Sequence, residues 1–143
     1  MFKRIDHVAL LVPDLDEAMA LYSERFGVAF TFRERNDDGG FEVAGFEVGD
    51  AHIELLAPTR SDSVISGALE RRGPGIHHIG LEVEDLDARL AELQATGVRL
   101  TSDTSRRGSG GSRIVFIHPK DMLGSMLELV ELPPPTAAGP LPE

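Results

Sequence analysis

Two stretches of this chain alternate apolar and polar residues with the two-residue period of a strand, and each then switches to helical spacing. In Ile5–Val12, the residues Val8, Leu10 and Val12 form one apolar face, with His7 and Ala9 on the other. Pro13 ends that strand, because it has no amide proton to give to a ladder. Asp14 predicts an N-cap, Asp16 and Glu17 suit the positive end of the helix dipole, and Ala18, Leu21, Tyr22 and Phe26 share an apolar face before Gly27 stops the helix. The second stretch follows the same plan. Ile79, Leu81 and Val83 face one way and His78, Gly80 and Glu82 the other; Asp85 caps a helix whose face is Leu86, Leu90 and Leu93, and Gly97 stops it. After each helix come three strand-like segments: Val28–Glu34, Phe41–Val48 and Ala51–Ala57 in the first half, Val98–Thr101, Ser112–His118 and Ser125–Glu131 in the second. Gly49 and Asp50 mark a hairpin turn between the last two strands of the first half.

The two stretches are copies. IDHVALLVPDLDEAMALYSERFGV, starting at Ile5, matches IHHIGLEVEDLDARLAELQATGV, starting at Ile76, with a one-residue slip before the closing glycine. The pattern predicts an α+β protein of two tandem βαβββ modules, at about 4–58 and 76–131, within one domain over 1–132. A linker at about 59–75 joins them, and Val64–Arg71 within it suits a short helix. The Pro-rich tail at 133–143 is expected to be disordered or extended.

Composition narrows the function. The absence of cysteine removes disulfides, thiolate metal sites and a cysteine nucleophile together. A net charge of -10 repels phosphate backbones and argues against a nucleic-acid partner, although local cationic patches exist at Arg71 and Arg72, and at Arg106 and Arg107 with Arg113 and Lys120. The first residues lack the apolar core of a signal peptide, and no apolar run is long enough to span a bilayer. A soluble, cytoplasmic protein without a membrane partner is the expectation.

The polar faces carry the candidate chemistry. In the closing strand of each half, Ile53 and Leu55 point away from Glu54, and Leu127 and Leu129 away from Glu128. If the apolar faces meet the helices, His7, Glu54, His78 and Glu128 project together from the reverse face, at matching positions of the repeat. Two imidazoles and two carboxylates suit Zn, Co, Mn, Ni or Fe(II), and a divalent ion offsets the repulsion of paired carboxylates. His78 rather than His77 is chosen because it aligns with His7; His77 would point to the helix face or modulate the site.

The segments IDHVALLVPDLDEAMALY, HIELLAPTRSDSVI, GIHHIGLEVEDLDARL, GSGGSRIVFIHPKD and GSMLELVE resemble the vicinal oxygen chelate superfamily, and within it the methylmalonyl-CoA epimerase family, over about Phe2 to Glu131. The resemblance implies a curved, half-barrel mixed sheet with helices on its outer face, and His7, Glu54, His78 and Glu128 as ligands of a divalent cation. It also implies a homodimer acting on an acyl-CoA, exchanging the C2 epimers of methylmalonyl-CoA by proton abstraction and an enolate. Glu128 would double as one acid–base group. The family's second group, on the strand Phe41–Val48, falls at Val43, with Glu42 next to it; a bulge would be needed to turn Glu42 or Glu47 inward, and water, His52 and Glu54 are alternatives. Glu42 is taken as the second catalytic group and His52, Arg107 and Lys120 as substrate-binding residues. The loop Arg106–Ser112 suits either a cover over the coenzyme A arm or a plain hairpin connection, and His118 a turn. A glyoxalase I-like lyase acting on a glutathione adduct, or a non-catalytic binding module, are the alternatives on this scaffold.

Overall fold

A computed structural model describes residues 1–102 and 105–135. The strands are β1 (Phe2–Leu11), β2 (Phe32–Asn36), β3 (Phe41–Val48), β4 (Ala51–Pro58), β5 (Gly75–Val83), β6 (Arg106–Arg107), β7 (Arg113–Ile117) and β8 (Leu127–Glu131). The helices are α1 (Leu15–Phe26), α2 (Ser66–Arg72) and α3 (Leu86–Ala95). All strands join one mixed sheet in the order β2-β3-β4-β1-β5-β8-β7-β6. Each module contributes a parallel pair, β1 with β4 and β5 with β8, and the modules meet where β1 runs antiparallel to β5.

Local signals explain the helix ends. The Asp14 carboxylate accepts the Glu17 amide at 2.8 Å, and Gly27 closes α1 in the left-handed region at φ 65°. Asp85 repeats the cap, accepting the Ala88 amide at 3.2 Å. On the outer face of the sheet α1 covers Ala44, Leu55 and Ala57, while α3 covers Val83, Val115, Ile117 and Leu129.

The sheet is a curled half-barrel. β2 and β6 are its two edges, yet the amide of Gly110, just beyond β6, donates to the Glu34 carboxylate on β2 at 3.1 Å. The inner face is therefore a trough whose rims touch. It is not polar throughout, as strand alternation alone would suggest. Ala9, Leu11, Val43 and Leu56 pack there with Ile65 and Ala68, so α2 and the loop before it plug one end with a small core.

Two segments differ from expectation. The chain after α1 enters β2 only at Phe32, because Phe30 first packs edge-on to Phe46 in the core beneath α1, at 5.5 Å between centroids. Val98–Thr101 makes only an isolated bridge, Leu100 to Ile117; the Arg99 amide is taken by the Asp121 carboxylate at 2.7 Å and so is withheld from a ladder. The strand of the second half lies instead at β6, an edge of two residues. Of the tail, Pro133–Pro135 form no regular element, and 136–143 lie outside the described residues.

Candidate metal centre

Cross-strand register explains how distant residues meet. Glu54, Ala9 and His78 lie level on β4, β1 and β5, and His52, His7, Gly80 and Glu128 lie level on β4, β1, β5 and β8. In each row a small residue separates the two larger ones that converge: Ala9 between Glu54 and His78, Gly80 between His7 and Glu128. Ala9 and Gly80 occupy the same position of the repeat. The side chains lean toward one another across a gap that a larger residue would fill.

The donor atoms converge closely. His7 Nε2 lies 3.1 Å from His78 Nε2, 3.3 Å from Glu54 Oε2 and 3.2 Å from Glu128 Oε1. The other Glu128 oxygen is 3.4 Å from His78 Nε2. All four residues are at most 6% exposed. Donors held at about 2.1 Å by one ion sit roughly 3.0–3.4 Å apart across right or tetrahedral angles, so the observed spacing fits a shared divalent cation. Burying two carboxylates and two imidazoles without such a charge is costly, and oxygen and imidazole donors suit a borderline metal.

In the ion-free protein a proton holds the cluster together. Burial opposes charge on His7, but hydrogen bonds to Asp6 and Glu128, with the charge of Glu54, outweigh it and raise the imidazole to about 10. Burial pushes His78 well down, helped by His7 and His77, so it stays neutral. Burial raises Glu128, against the pull of His7.

The other expected residues divide. His52 joins the cluster: its Nε2 lies 3.3 Å from Glu54 Oε1, and its ring stacks on His7 with centroids 5.2 Å apart. Glu42 does not, which corrects the expectation for it. β3 keeps regular register with β4 at this point, so Glu42 pairs with Ala57 on the outer face, where its carboxylate meets Arg33 at 3.1 Å. No bulge turns it inward, and Val43 sits in the inner apolar plug. Glu47 shares the inner face with His52 but is exposed at the rim. Arg107 is an exposed residue of edge strand β6, and Lys120 an exposed residue of the 3-10 turn Pro119–Met122.

Three contributors were not singled out from sequence. Asp6 is 4% exposed and accepts a hydrogen bond from His7 Nδ1 at 2.8 Å. Gly80 makes room for His7, and Phe116 packs edge-on against His78, with centroids 5.0 Å apart. A carboxylate on the apolar parity of β1 was the one available signal for Asp6.

A family model of the Glyoxalase/Bleomycin resistance protein/Dioxygenase superfamily matches residues 6–116. An ethylmalonyl-CoA/methylmalonyl-CoA epimerase of Cereibacter sphaeroides is 38% identical over 134 residues, covering 92% of this chain and 100% of that protein. The chain belongs to the methylmalonyl-CoA epimerase family. A crystal structure of a family member from Mycobacterium tuberculosis superposes with a TM-score of 0.88 at 44% identity, covering 96% of this chain and 93% of that one. A methylmalonyl-CoA epimerase in complex with methylmalonyl-CoA and NH4+ superposes with a TM-score of 0.86 at 38% identity, covering 92% and 96%. Among the described residues, no helix of this family member is long and apolar enough to cross a membrane.

Proposed function

We propose that this chain is a metal-dependent epimerase that interconverts the C2 epimers of methylmalonyl-CoA through an enolate. The observation that carries the proposal is the convergence of His7, Glu54, His78 and Glu128 within a buried cluster of this family's fold. These four residues would hold a divalent cation, with Co, Mn, Zn, Ni and Fe(II) all compatible with the donors. Bound there, the cation supplies a Lewis acid for the thioester and carboxylate oxygens, which lowers the cost of the enolate.

Glu128 takes the C2 proton. The C–H bond breaks, its electron pair enters the thioester enolate, and the carboxylate, raised by burial, holds the proton. Inversion needs a donor on the other side of the planar enolate, and His52 is assigned that role. His52 and Glu128 stand at opposite ends of one row, with His7 and Gly80 between them, so a substrate lying over the row meets them from two sides. Arg107 and Lys120 are assigned to the anionic arm of the acyl-CoA. The proposal includes a cytoplasmic homodimer; Ile5 and Ile76, equivalent in the repeat, are 51% and 67% exposed and fit a two-fold contact.

Incubation of the Co- or Mn-loaded protein with one epimer in deuterated water tests the reaction. Deuterium at C2 and appearance of the other epimer are expected; absence of both rejects the proposal. Light scattering of the eluting protein tests the dimer.

A further inference from the structure

The β1–β5 ladder is irregular at two places beside the centre. Between Ile5 and His7 the register slips by one residue, leaving Asp6 as the extra residue of β1. Between Ala9 and Leu10 it slips again, this time with His77 as the extra residue of β5. Asp6 and His77 are equivalent in the internal repeat, each directly preceding a cluster histidine. Ordinary alternation would put both on the opposite face from their neighbours. Instead Asp6 Oδ2 lies 2.8 Å from His7 Nδ1, and His77 Nδ1 lies 2.8 Å from His78 Nδ1.

We infer that Asp6 and His77 are positioning residues that hold the ring nitrogen of each ligand histidine facing away from the metal, and that they make the two ligands chemically unequal. The inference rests on the metal-site reading above. In both histidines Nε2 faces the cluster and Nδ1 faces the bulged neighbour. Nδ1 must therefore carry the hydrogen, which leaves the Nε2 lone pair for an ion. The partners differ in kind. Asp6 is a carboxylate, and it is itself fixed: its other oxygen meets Arg4 at 3.0 Å, and Arg4 Nε meets Glu82 at 2.6 Å. With both oxygens engaged, Asp6 is a support for His7 rather than a ligand, although it lies close to His7 and His52. His77 is an imidazole, whose Nδ1 can accept a hydrogen bond only when the ring is neutral. A hydrogen bond to an ionised acceptor is roughly twice as strong as one between neutral groups. His7 is thereby the more basic and more firmly held ligand, and His78 the weaker.

The test uses full-length protein titrated with Co(II), read by visible absorption and by competition with a chelator. Asp6→Asn keeps an acceptor but removes the charge, and is expected to weaken binding about 10- to 100-fold and shift the Co(II) bands. His77→Gln exchanges one neutral acceptor for another, and is expected to change affinity by less than about threefold. Wild-type affinity in Asp6→Asn, or an equal loss in both variants, overturns the inference while leaving the metal site standing. A wild-type chain that binds no Co(II) overturns both. The unmutated Zn-loaded protein provides a reading independent of variant folding, through long-range proton–nitrogen correlations of its imidazoles. Protonated Nδ1 on His7 and His78 and bare Nδ1 on His77 are expected; a protonated Nδ1 on His77 facing a bare Nδ1 on His78 overturns the assignment.

Discussion

Gly80 lies directly across the ladder from His7, and a methyl group on it would stand 2.2 Å from His7 Cε1 and 2.4 Å from Nδ1. No real Cβ tolerates such contacts, and the ring is walled in by Asp6 and His52. Gly80→Ala is therefore expected to push His7 off its position. Overpacking of this kind costs about 1–3 kcal/mol. Metal content after dialysis should fall below half of the wild-type value while the circular dichroism spectrum is kept. Retention of full metal content would show that the ring relocates without loss.

Metal uptake should be coupled to a proton. His7 is raised to about 10, so at pH 7 it is protonated in the ion-free protein, whereas a ligand imidazole must be neutral. Calorimetric titration in buffers of different ionisation heat should report release of about one proton, and affinity should rise roughly tenfold per pH unit between 7 and 10. Heat independent of buffer contradicts this. The same group sets the sign of a stability effect without metal. Charge on His7 stabilises the ion-free fold fully below pH 6.5, its unfolded value, and that contribution is lost as pH rises through about 10. The melting temperature of ion-free protein should fall across this interval.

Glu42→Gln should leave turnover within about twofold of wild type, since the side chain faces α1 and not the centre. Its ion pair with Arg33 is partly exposed, so a stability loss of about 0.2–1 kcal/mol is expected from chemical denaturation. A turnover loss beyond tenfold would place Glu42 in the reaction after all.

His52→Gln separates its two possible contributions. As the opposite-face proton carrier, its loss should lower epimerisation by about 10²–10⁴, while Glu128 still exchanges the C2 hydrogen of one epimer with deuterium. Washout without inversion is the expected outcome. Equal loss of both, together with metal, would make His52 a support for Glu54 instead.

Much of the centre was legible in strand alternation. His7, Glu54, His78 and Glu128 all lie on the parity opposite the helix-facing residues, and the repeat put them at equivalent places. Alternation also puts Glu42 away from them, and β3 has no bulge to turn it inward. Bulges occur instead in β1 and β5, and the two beside the centre fall at Asp6 and His77.

The sequence by itself determined the periods: which segments are strands, which face of each is apolar, where α1 and α3 are capped, and that the whole plan occurs twice. These are local properties, set by side-chain chemistry at fixed spacing along one chain. Only the tertiary structure decided the rest. Whether a residue is bulged depends on the register a partner strand adopts, so Asp6 and His77 joined their neighbours' side of the sheet by a slip no single strand encodes. The curl that brings Glu34 to Gly110, the inner plug around Val43, and the gap at Gly80 that admits His7 likewise arise from how distant segments pack.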